Sequence, residues 1–219
     1  MTGTSRSQRD PATASEHVVF IIDDDVAMRE TLGSLFRSVG LRVESFGSAR
    51  EFAQIKMPDA ASCLVLDIRL PGVSGLDFQA ELAVAGIRVP IILMTGHGDI
   101  PMSVQAMKAG AIDFLTKPFR DQDMLDAVGK ALERDQKRRD SETAVADIRV
   151  RLASLTARER EVMGFVVEGF MNKQVAAKLG VSEITVKVHR VNMMRKMKAR
   201  SVVDLVGMAD SLGIRRPRG

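Results

Sequence analysis

The stretch HVVFIIDDD, residues 17–25, decides the fold of the first half of the chain, because the apolar run His17–Ile22 ends directly in three aspartates. Four more short apolar runs follow, at Leu41–Ser45, Ser62–Leu66, Val89–Met94 and Ile112–Thr116. Amphipathic stretches lie between and after them, near 26–38, 48–55, 75–85 and 100–109 and from 121 onward. Strands that are apolar on both faces and alternate with helices predict a parallel sheet covered by helices.

The length and composition are those of an ordinary globular protein. The chain has 219 residues, of which 45% are hydrophobic and 27% charged, and this length allows one large domain or two small ones. The five strand–helix units fit one doubly wound domain of about 105 residues, with the flavodoxin-like strand order 2-1-3-4-5. No apolar run reaches the roughly 18 residues of a membrane helix, so we expect no membrane association. The single cysteine, Cys63, allows no internal disulfide and favours a reducing, cytoplasmic location.

The net charge of +4 is distributed unevenly. Residues 16–120 hold 10 lysines and arginines against 13 acidic residues, whereas residues 155–219 hold 13 against 6. An acidic first half and a small basic module predict two domains with different partners, the basic one a candidate for nucleic acid. On charge alone, a solvated basic surface is an equally good interpretation.

We expect the chain to divide into four segments. Residues 1–15 are polar and aperiodic and predict a flexible tail, and residues 16–134 hold the α/β domain. The charged run 135–140 begins a partly helical linker over 135–152. Residues 153–219 are predicted to form a small all-α domain of four helices.

The last segment carries the start signals of helices. Thr156 and Glu159 have the spacing of a capping box, and Asn172, Ser182 and Ser201 can cap the three helices that follow. Gly180 allows a tight turn between the second helix and the third. A short helix, a turn with glycine and a longer basic helix are typical of a helix-turn-helix.

The third helix of this domain has two different faces. Val186, Met193 and Met197 are predicted to share an apolar face, and the opposite face holds Lys187, Val188, Val191, Arg195 and Lys198. Exposed valines between basic residues are unusual on a solvated surface. They suit a major groove, where valine can meet a thymine methyl group and lysine a guanine edge, while arginine and lysine neutralise phosphates.

Polar side chains follow the strands of the first domain at one edge of the predicted sheet. Asp23 and Asp24 follow the first strand, Asp67 follows the third, and Thr95 and Lys117 end the fourth and fifth. Ligands bind at this edge, at the topological switch point. Three carboxylates repel one another, and Mg²⁺ relieves that repulsion. Together with a lysine and a hydroxyl, the three carboxylates and the metal ion suit phosphoryl transfer to a carboxylate. Helix capping explains any one of these aspartates, but it explains the whole set poorly.

Four motifs resemble the receiver domain of response regulators, over residues 17–130. They are IIDDD (21–25), LVLDIRLPGVSG (64–75), MTGHGD (94–99) and AGAIDFLTKPF (109–119). The resemblance implies that Asp67 is the phosphoacceptor and that Asp23 and Asp24 form the acidic pair. It also implies an Mg²⁺ ion held there, with Asp24, Asp67 and the backbone carbonyl of Arg69 as direct ligands.

The same resemblance implies roles for further residues. Thr95 and Lys117 would hold the phosphoryl oxygens, Phe114 would be the switch aromatic, and the Lys117–Pro118 bond would be cis. His97 would lie at the rim of the pocket, where it either tunes hydrolysis of the aspartyl phosphate or has a neutral surface role. The resemblance gives no role to Asp25.

Residues 155–206 resemble the helix-turn-helix of the NarL/FixJ regulators, which is of the LuxR type. The resemblance implies that Lys187, Val188 and Val191 read bases. It implies that the DNA backbone is contacted by Lys173, Ser182, Thr185, Asn192 and Arg195. Two residues depart from the usual pattern: Met171 replaces a small polar residue, and Val191 replaces a reader that is polar in several relatives.

Together these patterns predict a response regulator that is not an enzyme. We expect a sensor histidine kinase to phosphorylate Asp67, and the phosphorylated chain to bind double-stranded DNA and to work with RNA polymerase. It would be a monomer that becomes a homodimer on phosphorylation, through a face that holds Met102, Val104, Met107 and Lys108.

Three other functions remain open at this point. An aspartyl-phosphate phosphatase or transferase would turn over a phosphoester, but it leaves the basic domain unexplained and lacks a general acid beside Asp67. A constitutive DNA-binding protein would bind DNA equally well with Asp67→Ala. RNA antitermination would need a different helical module at the C-terminal end.

Overall fold

In a computed structural model that describes residues 17–96 and 100–214, the chain forms two units, divided after Arg139. The first unit holds five parallel strands, β1 (Val18–Ile22), β2 (Arg42–Phe46), β3 (Ser62–Asp67), β4 (Ile91–Thr95) and β5 (Asp113–Thr116). The sheet order is β2-β1-β3-β4-β5, which confirms the predicted order. The tail 1–15, His97 and residues 215–219 lie outside the described residues.

Five helices follow the strands of the first unit in alternation. They are α1 (Val26–Ser38), α2 (Ala49–Phe52), α3 (Gly75–Val84), α4 (Ile100–Lys108) and α5 (Asp121–Ala153). α2 is shorter than the predicted stretch 48–55. After Phe52 the backbone bonds tighten to i→i+3, from Gln54 to Glu51 and from Ile55 to Phe52, so the α-helix ends there.

The sheet separates two apolar clusters, because alternate strand residues point to opposite faces. One face holds Phe20, Leu64 and Leu93, which pack with α2 and α3 residues such as Phe52 and Phe78. The other holds Val19, Ile21, Cys63, Val65 and Ile92, which pack with α1 and α5 residues such as Phe36 and Val128. Both faces are buried, which explains why the strands are apolar throughout.

α5 differs from the expected linker. The segment 135–152 is helical throughout, and its first residues pack on the first unit. Asp135 is only 1% exposed, and its Oδ2 accepts a hydrogen bond from the Ser62 backbone N–H at 3.1 Å. Arg139 donates to Asp135 at 2.9 Å and to the Pro58 carbonyl at 2.9 Å. The helix continues through the charged run, within which the chain divides into its two units. Side chains of the run pair with one another and with the start of β3.

The described part of the second unit adds four helices after the end of α5, as predicted. They are α6 (Ala157–Val167), α7 (Asn172–Leu179), α8 (Glu183–Met197) and α9 (Val202–Ser211). Thr156 and Glu159 form the predicted capping box, and Ser182 and Ser201 cap α8 and α9. Gly180 ends α7 with a φ of 66°, in the left-handed region that favours glycine.

The expected cap at Asn172 is wrong. Met171 is the residue before α7, and its backbone N–H donates to the Gln174 side chain at 2.8 Å. Asn172 is the first helical residue, and its Oδ1 accepts from Arg190 on α8 at 2.9 Å. Its side chain therefore links two helices of the helix-turn-helix.

Glu159 ties α6 to α8. It is 3% exposed, accepts from the Thr156 backbone N–H at 2.8 Å, and pairs with Lys196 at 2.6 Å. The hydrogen bonds from Lys196 and Thr156 hold the pKa of Glu159 below its usual range. Over residues 17–96 and 100–214, no helix combines the length and the apolar character needed to cross a bilayer.

The Asp135 anchor generates a test of stability. Asp135→Ala leaves the buried Ser62 N–H without its carboxylate acceptor, and an unsatisfied buried group costs about 1–3 kcal/mol. We expect hydrogen exchange measured by mass spectrometry to show faster exchange in β3. Glu133→Ala is the control, since Glu133 is exposed on the same helix and pairs with Lys137. Equal acceleration in both variants would contradict the anchoring role.

The Glu159 ion pair generates a test with pH. A carboxylate with a lowered pKa contributes stability above its unfolded pKa, near 4.5, and this is lost as the pH falls through the lowered value. We expect Glu159→Gln to flatten the decline in unfolding free energy on acidification, measured by urea unfolding and circular dichroism. Glu161→Gln, an exposed control on the same helix, should keep the wild-type slope. An unchanged slope in Glu159→Gln would argue against the ion pair.

Candidate functional site

The three predicted aspartates converge at the carboxyl ends of β1 and β3. Asp23, Asp24 and Asp67 each offer a carboxylate oxygen, and these oxygens lie within 4.8 Å of one another. The strands are direct neighbours, with Ile22 in register with Leu66, so Asp23 and Asp67 occupy matching positions. Asp23 and Asp67 are buried, whereas Asp24 is exposed. This is the switch point expected from the strand order.

Lys117 joins the two buried carboxylates. Its Nζ lies 2.7 Å from Asp23 Oδ2 and 2.5 Å from Asp67 Oδ2. Burial alone would lower the pKa of Lys117, but the hydrogen bonds to Asp23 and Asp67 outweigh it and raise that pKa. Burial raises the pKa of Asp23, and the hydrogen bonds from Lys117 and the Asp25 N–H offset this only in part. The ammonium is thus held charged between two acids.

Backbone amides fix the other oxygen of each buried carboxylate. Asp23 Oδ1 accepts from the Asp25 N–H at 2.8 Å, and Asp67 Oδ1 accepts from the Arg69 N–H at 2.8 Å. Asp67 therefore presents Oδ2 to Lys117 while Oδ1 is held by the following loop. Asp25, which had no expected role, caps α1 by accepting from the Ala27 N–H at 2.9 Å.

The loop after Asp67 depends on Gly75, which sequence reasoning did not single out. A Cβ atom on Gly75 would lie 2.4 Å from the Asp67 carbonyl oxygen and 2.8 Å from the Ile68 Cα. The Gly75 N–H donates to the Ile68 carbonyl at 2.8 Å, and the backbones of Arg69 and Ser74 form an isolated antiparallel β-bridge. Any larger residue would push on the backbone of Asp67. The available signal was the glycine that closes LPGVSG eight residues after Asp67.

Thr95 and Phe114 lie on the strands next to this pocket. Thr95 is buried at the end of β4, and its carbonyl accepts from the Lys117 N–H at 2.7 Å. Phe114 lies on β5 in register with Leu93 and is half-buried against the first apolar cluster. The Lys117–Pro118 bond is cis, as the resemblance implied. The structure thus brings Thr95 and Lys117 to the same edge as Asp23, Asp24 and Asp67.

The donor set suits a hard divalent cation. Three carboxylates against one ammonium leave a local charge of −2, and Mg²⁺ prefers oxygen ligands of this kind. The exposed position of Asp24 leaves one side of the pocket open to solvent. The residues present therefore fit the ion that the sequence predicted.

The faces of α8 are as predicted. Val186, Met193 and Met197 are buried in the core of the second unit. The exposed residues are Lys187, Val188, Val191, Arg195 and Lys198. The ion pair of Lys187 with Glu183 is loose, at 3.5 Å. The basic side chains and the valines thus share one solvent-exposed face.

The other predicted DNA contacts lie on α7, at the start of α8 and further along α8. Lys173 is exposed on α7. Ser182 Oγ accepts from the Thr185 N–H at 3.1 Å and lies 2.8 Å from Thr185 Oγ1, so both hydroxyls are at the start of α8. Asn192 is half-buried, and its Oδ1 accepts from Arg195 at 3.3 Å. Ser182 and Thr185 therefore lie at the start of α8 and Asn192 lies further along it, while Lys173 lies on the preceding helix.

Two family models match the chain, one for each unit. The model described as "Response regulator receiver domain" matches residues 19–129. The model described as "Bacterial regulatory proteins, luxR family" matches residues 153–209. Receiver domains bind Mg²⁺ at an acidic pocket, and the cluster of Asp23, Asp24 and Asp67 lies in the matched region.

Relatives match along nearly the whole chain. Nodulation protein W of Bradyrhizobium diazoefficiens is 58% identical over 92% of this chain and 88% of its own length. The transcriptional regulatory protein FixJ of Azorhizobium caulinodans is 45% identical over 90% of this chain and 93% of its own. The solved structure of the response regulator StyR is similar with a TM-score of 0.80 and 45% identity, covering 89% of this chain and 98% of that one. The chain therefore belongs to the NarL/FixJ family of response regulators, transcriptional regulators in which a receiver domain is joined to a luxR-type DNA-binding domain.

Proposed function

We propose that this chain is a transcriptional switch in which a phosphoryl group on Asp67 controls the binding of α8 to duplex DNA. The observation that carries the proposal is the contact of Lys117 Nζ with both Asp67 Oδ2 and Asp23 Oδ2, at 2.5 and 2.7 Å. An ammonium held at the reacting carboxylate can stabilise the negative charge of an incoming phosphoryl group. A receiver implies a histidine kinase as the partner, and a luxR-type domain implies DNA.

In this proposal Asp67 is the nucleophile. Its carboxylate oxygen forms a bond to phosphorus while the bond from phosphorus to the donor nitrogen of a phosphohistidine breaks. The second ring nitrogen of that phosphohistidine carries a proton, so the electron pair of the broken bond stays on the donor nitrogen and neutral imidazole leaves. Mg²⁺, held by Asp23, Asp24, Asp67 and the Arg69 carbonyl, would supply neutralisation of the phosphoryl charge. Lys117 and Thr95 would then hold phosphoryl oxygens, with an ammonium and a hydroxyl as donors.

The switch would act through two residues of the first unit. A phosphoryl group adds about −1.5 to −2 charge at neutral pH and new acceptor oxygens. Thr95 is buried beside Asp67 and Phe114 is half-buried on the neighbouring strand. Movement of Thr95 toward the phosphoryl group would let Phe114 turn inward, and phosphorylation would shift an existing equilibrium in this direction.

Pairing of two receivers would convert this shift into DNA binding. The proposed face holds the α4 residues Met102, Val104, Met107 and Lys108; Val104 and Met107 are 45% and 47% exposed. A monomer would thus become a dimer on phosphorylation, and pairing would raise the effective concentration of two helix-turn-helix units on paired half-sites.

We further propose the working division of the chain. Residues 16–134 would be the receiver and residues 153–219 the DNA-binding domain, with 1–15 as a tail and the helical segment 135–152 between the domains. The bound chain would act with RNA polymerase, in the cytoplasm where the DNA is. It would act on no substrate other than its own phosphoryl donor.

On the DNA side, three α8 residues would read bases and five others would contact the backbone. The readers are Lys187, Val188 and Val191, which are exposed on one face. The backbone contacts are Lys173, Ser182, Thr185, Asn192 and Arg195. Phosphate contacts position the helix, and base contacts give specificity.

The phosphoacceptor role is tested by intact mass. We expect full-length protein incubated with Mg²⁺ and a small acyl phosphate to gain one phosphoryl group, and Asp67→Ala to gain none. Asp59→Asn, which changes a fully exposed carboxylate of the same unit, should behave as wild type. Modification of Asp67→Ala to the wild-type extent would refute the assignment. Wild type that accepts no phosphoryl group from the acyl phosphate or from a histidine kinase would favour a constitutive DNA-binding protein.

The facing of α8 is tested by two substitutions, with duplexes selected from a randomised pool. Lys187→Ala should weaken binding by about 1–3 kcal/mol and relax preference at one position. Arg195→Ala should weaken all duplexes alike and lower the slope of log affinity against log salt by about one. Arg158→Ala, on α6 and paired with Glu161, is the control. The opposite pattern in the two variants would show that the helix faces the DNA differently.

A further inference from the structure

α8 carries an apolar strip made of Ile184, Val188 and Val191, which we call the α8 strip. Their side chains are 74%, 54% and 66% exposed. Spacings of four and three residues align them on one face, because an α-helix has 3.6 residues per turn. The buried Val186 and Met193 are on the opposite face. The core of the unit therefore does not account for the strip.

Positive charge borders the α8 strip. Lys187 and Arg195 are exposed on the same side of the helix, and Lys198 is exposed directly after its last residue. A row of cations beside apolar groups fits a polyanion with apolar groups recessed between its charges, and it fits an apolar protein surface poorly. The major groove of DNA has this character, since the only apolar group that its base edges present is the C5-methyl group of thymine.

We propose that the α8 strip reads thymine methyl groups in the major groove, and that Ile184 contacts bases beside Val188 and Val191. The proposal rests on the proposed function and adds the chemical class of the DNA sequence. Ile184 is the second residue of α8, and recognition helices contact base edges with their N-terminal residues.

The length of the strip sets the size of the element that it reads. From Ile184 to Val191 the helix rises about 10 Å at 1.5 Å per residue. That distance covers about three base-pair steps at 3.4 Å each. Each half-site should therefore contain a short element with several thymines, on either strand, under the strip.

The test removes methyl groups from the DNA and side chains from the protein. Full-length protein, treated with Mg²⁺ and an acyl phosphate and also untreated, selects duplexes from a randomised pool. Each thymine of the recovered half-site is then replaced by deoxyuridine, which removes only the methyl group. Affinities are measured for wild type, Ile184→Ala and the control Val203→Ala, an exposed valine on α9. Circular dichroism establishes that each variant is folded.

The expected result is a specific coupling between the two kinds of change. Loss of a methyl group under the strip should weaken wild type about fourfold, the effect of one methylene-sized apolar contact. Ile184→Ala should lose this sensitivity at one thymine and keep it at the others, while Val203→Ala keeps it at all of them.

Three results would overturn the inference, and they are distinct. In the first, replacing thymine by deoxyuridine in the recovered half-site changes the affinity of neither wild type nor Ile184→Ala. This result would remove the strip from recognition while leaving the DNA-binding function intact. Failure to recover any preferred duplex, with or without the acyl phosphate, would refute the proposed function and the inference together. Recovery of an equally tight site without thymine would count against the strip alone.

Discussion

Charge compensation by Lys117 is the interaction on which the first unit depends. Asp23 is fully buried and Asp67 nearly so, and two ionised carboxylates this close would repel strongly without a cation between them. β4 lies between β3 and β5 in the sheet, so the cation must reach across one strand to meet Asp67. A long lysine stem does this, and the Lys117 backbone N–H is held by the Thr95 carbonyl at the end of β4. The order of the parallel strands therefore determines that the cation of the pocket must be on a long side chain after β5.

Polar side chains also hold the helices of the second unit together. Glu159 uses one carboxylate to cap α6 and to bind Lys196 of α8, and Asn172 uses its side chain to hold Arg190. The first pair joins α6 to α8, and the second joins α7 to α8 across the turn. The exposed face of α8 is consequently left to basic and apolar residues that the fold does not require, and its composition is free to serve recognition.

Most of the fold could be predicted because burial on both faces of a strand leaves a clear pattern. The convergence of the three aspartates and Lys117 could be predicted because several acids at neighbouring strand ends are costly to bring together unless a cation joins them. The faces of α8 followed from helical spacing alone.

The continuity of α5 could not be predicted, since its charged run is stabilised by Ser62 and Pro58, which are distant in sequence. The role of Gly75 depends on a close approach of two backbone segments. The capping of α7 depends on which residue begins the helix. Asn172 is a residue type that often caps helices, but it lies one position too late, after Met171.

Cys63 has a consequence for how the molecule can be observed. It is the single thiol of the chain and lies fully buried on β3, where burial raises its pKa and keeps it protonated. Thiol reagents act on the thiolate, so alkylation in the native state requires the sheet to open. The protein thus carries an internal reporter of opening in its first unit that gives no signal for the helical unit. Compared with a signal from the whole chain, such as circular dichroism, the alkylation of Cys63 distinguishes cooperative from independent unfolding of the two units without an introduced label.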